Sequence, residues 1–224
     1  QATLKGLYPG MTFVLGFVAC SGAKTRDLLN DGYTGPSAVP ASMLGYSKIA
    51  QDAQLTQLDD FRTLEGGRLD AIYMSIGGND AGFGDIVSDC ISPFGPSNCG
   101  TTWNSTLTSR LLNLQTGYDN VATRINALFG SSIPVLISDY PNPLDNGAGA
   151  PCQGDDYNAH AEVGFGAWDD ALKNNVTPSE ATFAYGISDR LNTAVFNAVR
   201  LHDNWREISS HTDAFFGHGI CTAA

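Results

Sequence analysis

The run Ser75-Ile76-Gly77-Gly78-Asn79-Asp80-Ala81-Gly82-Phe83 carries the strongest chemical signal in this sequence. It closes the apolar stretch Leu69–Ile76, so Gly77 and Gly78 allow a sharp turn with room for a ligand beside the backbone. Asn79 then presents a neutral carboxamide with two N–H donors. A neutral donor at a strand end can bind an oxyanion without being tied up by a carboxylate. The plainer reading is a Gly-Gly-Asn-Asp turn in which Asn79 bonds its own backbone. A second run, Phe17–Ala23 (FVACSGA), places Gly22 between an apolar stretch and a short helix. Backbone N–H groups there would supply a second oxyanion donor, and a simple strand-to-helix turn is the alternative.

These residues need a scaffold, and the apolar pattern describes one. Thr12–Cys20 and Leu69–Ile76 read as strands buried on both faces, and Ile133–Asp139 as a third. Ala23–Leu29 reads as a short helix, Asp31–Gly45 as loop and Ser47–Leu64 as a polar helix. Leu107, Leu111, Leu114, Tyr118, Val121, Ile125 and Leu128 recur at helical spacing, which predicts one long amphipathic helix. Tyr140–Thr182 is irregular; its Tyr157, Phe165 and Trp168 either wall a binding site or pack the loop itself. A last helix is expected over Tyr185–Leu201. Alternation of this kind suits an α/β fold with a parallel, doubly wound sheet. Ligands in such sheets bind outside the carboxyl ends of the strands, which puts Ser21-Gly22, Gly77–Asp80 and Asp139–Pro141 on one rim.

The 224 residues suffice for one domain with a large core, and 42% hydrophobic with 16% charged residues is a globular composition. With 12 basic and 23 acidic residues the net charge is −11, which argues against nucleic acid or an anionic membrane as partner. No apolar stretch is long enough to span a bilayer. Five cysteines point to an oxidising compartment and so to secretion. Cys90 and Cys99 flank a loop rich in Pro, Gly and Ser and form a plausible local disulfide; Cys152 and Cys221 form a long-range one, leaving Cys20 over. No cysteine pair has zinc spacing, and no metal or cofactor is expected. The sequon Asn104-Ser105-Thr106 agrees with secretion.

Taken together and in this order, the two glycine-bearing runs resemble the SGNH-hydrolase superfamily, in its subgroup of secreted microbial GDSL esterases, lipases and phospholipases. Ala19–Ala23 with Thr25 and Asp27-Leu28 matches the second conserved block, and Ile76–Phe83 followed by Cys90 matches the third. Phe216-Gly217-His218-Gly219-Ile220-Cys221 is similar to a C-terminal stretch of the subgroup, shortened by one residue. The resemblance implies a three-layer α/β/α sandwich with a parallel, flavodoxin-like sheet. It also implies hydrolysis of a carboxylic ester through an acyl-serine intermediate, with Gly22 and Asn79 as oxyanion donors. The partner so implied is a small ester substrate: an acyl ester, a lipid or an acylated glycan. A monomer is expected.

The pattern is not complete. The nucleophile of the family lies in a Gly-Asp-Ser motif, and its histidine in Asp-x-x-His; neither occurs here. Only 18 residues precede Ala19, too few for a first strand and its helix. Residues 1–224 are therefore expected to be a single SGNH-hydrolase-like domain without its first-strand nucleophile block and its catalytic-histidine block. In the subgroup the second-block cysteine pairs with one just after the nucleophile, which would account for Cys20. Two other assignments make Ser21 the nucleophile and His218 the base. Other functional readings are a non-catalytic relative that binds an acyl or glycan ligand, and a structural module of a larger extracellular protein.

Overall fold

The structure, a computed structural model, describes Gly6, Pro9, Gly10, Thr12 and residues 14–33, 51–91, 98–152 and 177–209. Among these residues it is an α/β fold built on an open, three-stranded parallel sheet. In chain order come a 3-10 turn (Thr25–Leu28), α1 (Gln54–Leu64), β1 (Ile72–Met74), α2 (Gly78–Ala81), α3 (Phe83–Ile91), α4 (Cys99–Phe129), β2 (Val135–Ser138), α5 (Pro178–Leu201) and β3 (Trp205–Ile208). The sheet order is β1-β2-β3, with Ile72 beside Val135 and Val135 beside Trp205. Helices α2, α3 and α4 connect β1 to β2, and α5 connects β2 to β3, as parallel pairing requires.

Side chains alternate across a strand, so this register puts Ile72, Met74, Val135, Ile137 and Trp205 on one face. All five are buried. Helix α4 covers them with Leu107, Leu114, Tyr118, Val121 and Ile125, spaced three, four or seven apart and buried in turn. The Tyr118 ring meets the Trp205 ring edge-on at 6.0 Å. Asn98 starts α4 by accepting the Thr101 N–H at 2.9 Å, and Gly130 ends it at φ 90°. From α5, Ile187, Leu191, Val195 and Ala198 complete the core.

The third-strand and long-helix expectations hold, and the helix is longer than its apolar stripe. Two strand expectations need correction. Residues 14–20 form no strand, and Val14, Leu15 and Phe17 are 58%, 68% and 80% exposed. Among the described residues no strand pairs with this segment, so its apolar residues lack the cover that double-sided burial supplies. Leu69–Ile76 contracts to Ile72–Met74, and Tyr73 on its second face is 64% exposed. Of the helix expected over Ser47–Leu64, residues 47–50 lie outside the described residues, and α1 begins at Gln54, because Gln51 bridges to Tyr33 and the Ala53 N–H donates to Asp31 at 2.7 Å. Helix α5 begins seven residues before Tyr185.

The Cys90–Cys99 disulfide forms, and Cys20 is free. Cys152 is disulfide-bonded to a partner outside the described residues, where Cys221 also lies. Among the described residues no helix is long and apolar enough to cross a membrane.

Candidate functional site

The turn after β1 is shaped by two tyrosines distant in sequence. Gly77 lies at φ 122° as the N-cap of α2. A Cβ there would fall 2.4 Å from the Tyr118 hydroxyl, and one on Gly78 would fall 3.0 Å from the Tyr140 ring. Only glycine satisfies both the backbone angle and the space at Gly77. Tyr118 donates its hydroxyl to the Ile76 carbonyl at 2.8 Å, while the Gly78 N–H donates to the Tyr140 hydroxyl at 3.0 Å. Burial pushes both phenols above their ordinary range, the Gly78 N–H partly opposing this at Tyr140. Both are therefore neutral at physiological pH. Asn192 of α5 holds Tyr140 in place, accepting its N–H at 2.7 Å and donating to its carbonyl at 2.9 Å.

This turn meets the one after residue 20. Asn79 donates Nδ2–H to the Ala23 carbonyl at 2.9 Å. The carboxylate of Asp80 accepts the Thr25 N–H at 3.0 and 3.2 Å and the Thr25 hydroxyl at 2.7 Å. Gly22, at φ 81°, is the residue before Ala23, so the Asn79 side chain is bonded to the residue that follows Gly22. Asn79 is exposed, and an amide nitrogen carries two N–H groups, so one remains for a ligand. The Gly22 N–H has no hydrogen-bond partner among the described residues. The Asn79 carboxamide is thus a neutral donor just beyond the carboxyl end of β1.

Ser21 is exposed beside these donors, and its carbonyl accepts the Tyr33 hydroxyl. His218 lies outside the described residues, as do Tyr157, Phe165 and Trp168. His202, the one histidine described, sits before β3 at the opposite end of the sheet, its Nε2 3.1 Å from Asp119. Asp139 is buried at the end of β2, and its N–H donates to the Ile208 carbonyl. Burial, and then the charge of Asp139, push the Glu207 carboxyl above its ordinary range. Sequence reasoning gave no role to Thr25, Tyr118 or Tyr140. Tyr118 showed only as part of a core stripe, and Thr25 only as a residue following a motif.

No protein-family model matches the sequence, and no curated protein is found to match it. Solved structures do. A phospholipase A1 from Streptomyces albidoflavus NA297 aligns over 98% of this chain and 69% of its own, at 22% identity and a TM-score of 0.59. An extracellular lipase from Streptomyces rimosus aligns over 100% of this chain and 71% of its own, at 21% identity and a TM-score of 0.60. The fold is shared with both.

Proposed function

We propose that this chain belongs to a secreted serine ester hydrolase of the SGNH type, with Gly22 and Asn79 as oxyanion donors. The observation that carries the reading is the Asn79–Ala23 hydrogen bond. It joins two turns 56 positions apart in sequence and, among the described residues, leaves one Asn79 N–H and the Gly22 N–H without an acceptor. A carbonyl oxygen seated between them gains negative charge when a serine Oγ attacks its carbon. A general base takes the serine hydroxyl proton as the bond forms, and the donors stabilise the tetrahedral intermediate. The protonated base passes that proton to the leaving alcohol as the acyl-serine forms; water, activated by the same base, then releases the acid. The two structural neighbours are a lipase and a phospholipase A1, which favours an acyl ester of a lipid as substrate.

The nucleophile in this reading belongs to a segment seated against β1, which among the described residues pairs on one side only, with β2. The exposed Tyr73, Val14, Leu15 and Phe17 are the apolar surface such a segment would cover. The test is hydrolysis of a short p-nitrophenyl ester by the product of the whole reading frame. Asn79→Ala is expected to lower kcat by roughly 10²–10³ with KM nearly unchanged, because the donor acts only in the transition state. Unchanged kcat would overturn the reading. A second reading, a non-catalytic module that binds an acyl or glycan ligand, is favoured by the lack of a Gly-Asp-Ser and of an Asp-x-x-His motif in residues 1–224. A fluorophosphonate probe separates the two: covalent labelling of a serine in the whole product excludes the binding module. Labelling of Ser21 in residues 1–224 alone would make Ser21 the nucleophile.

A further inference from the structure

Asp80 and Thr25 lie 55 positions apart in sequence and make three contacts within hydrogen-bonding distance. Thr25 is buried and its side chain is pressed against α4, where a Cβ on Gly117 would fall 2.6 Å from the Thr25 hydroxyl. The 3-10 turn is thus fixed to α4 on one side and to Asp80 on the other. Asp80 directly follows Asn79, and Thr25 lies three residues after Gly22. A carboxylate suits this place because it is acceptor-only and both oxygens face donors of Thr25. From this geometry we propose that Asp80 and Thr25 are positioning residues. They set the separation between the Gly22 N–H and the free Asn79 N–H, and hence the fit of the pair to an oxyanion. This rests on the hydrolase reading for its catalytic consequence, though the clamp is a property of residues 1–224.

A misplacement of about 1 Å in such donors costs on the order of 10²-fold in rate. The donors act in the transition state, so the loss falls on kcat and not on KM. The first measurement is p-nitrophenyl ester hydrolysis by the product of the whole reading frame. Asp80→Ala removes all the acceptors and is expected to lower kcat about 30- to 100-fold. Thr25→Val removes only the hydroxyl and should lower it about 10-fold, and Thr25→Ser should restore it to within about threefold. Circular dichroism identifies a variant that fails to fold; should Asp80→Ala do so, the Val and Ser variants at Thr25 decide.

The second measurement is amide exchange by NMR on residues 1–224. One of the two Asn79 side-chain protons should be protected by the Ala23 carbonyl in the parent and lose that protection in Thr25→Val. Wild-type kcat in Thr25→Val and Asp80→Ala, with Asn79→Ala impaired, would refute the clamp and leave the hydrolase standing. A normal rate in Asn79→Ala would refute the hydrolase, and the exchange data would then judge the clamp by itself. A lowered kcat with unaltered Asn79 protection would show that Asp80 acts by its charge, which also overturns the proposal.

Discussion

Helices α5 and α2 start in opposite ways. At α5 everything needed lies within four consecutive residues. Thr177 accepts the Glu180 N–H at 3.3 Å, Glu180 accepts the Thr177 N–H at 3.0 Å, and Pro178 occupies the first turn. The remaining Glu180 oxygen takes the Cys99 N–H at 3.3 Å, next to the disulfide. At α2 the N-cap is Gly77, which has no side chain to offer. That start is held from outside, by Tyr118, Tyr140 and the Asp80–Thr25 contacts. A start that satisfies itself spends its capping side chains on its own backbone. One assembled from distant partners can leave an Asn79 N–H unspent, and that is where chemistry can occur.

The contrast can be broken most severely at Gly77. Alanine there must adopt φ 122° and push against the Tyr118 hydroxyl, so Gly77→Ala should destabilise the fold by about 3 kcal/mol. Urea unfolding followed by circular dichroism checks this. A loss no larger than an ordinary surface substitution would show that the turn has slack. Tyr118→Phe keeps the ring against Trp205 but removes the donor to the buried Ile76 carbonyl. It should cost about 2 kcal/mol in the same assay.

The self-contained start gives the smallest effect, and one that depends on pH. Glu180→Gln should cost about 1 kcal/mol at neutral pH. Burial pushes the Glu180 carboxyl up, but the Thr177 N–H, the Thr177 hydroxyl and the Cys99 N–H outweigh it and hold it below its ordinary range. A carboxylate lowered on folding stabilises fully above its unfolded value, and that contribution is lost as pH falls through the folded one. Parent and Glu180→Gln should therefore differ above about pH 5 and converge in acid. A difference unaltered down to pH 2 would mean that Glu180 acts through packing.

The same contrast explains what could be read in advance. The α4 stripe was visible because Leu107, Leu114, Tyr118, Val121 and Ile125 recur at the helical period. The start of α5 was equally local, in Thr177-Pro178-Ser179-Glu180, yet it was absorbed into a presumed loop. Strand β3 was missed because Trp205-Arg206-Glu207-Ile208 mixes charge into four residues, and only pairing with β2 makes it a strand. The exposure of Val14, Leu15 and Phe17 was hidden because an apolar run looks the same whether or not a neighbour covers it. Gly22 and Asn79 stood out through their turns. Thr25, Gly78 and Asp80 belong to the same two blocks, but what they do there was not legible, since a contact between Thr25 and Asp80, or between Gly78 and Tyr140, leaves no mark on either local pattern.

Those hydrogen bonds also decide when the site comes into being. They join residues 42, 55, 56 and 62 positions apart, whereas the bonds of α4 and α5 close within a single turn. Helices grow on a timescale of about a microsecond, while contacts across loops this long must first overcome the entropy of closure. During refolding the helical signal should return before the rim has assembled. The donors beside β1 therefore acquire a fixed position only after the helices that flank them have formed.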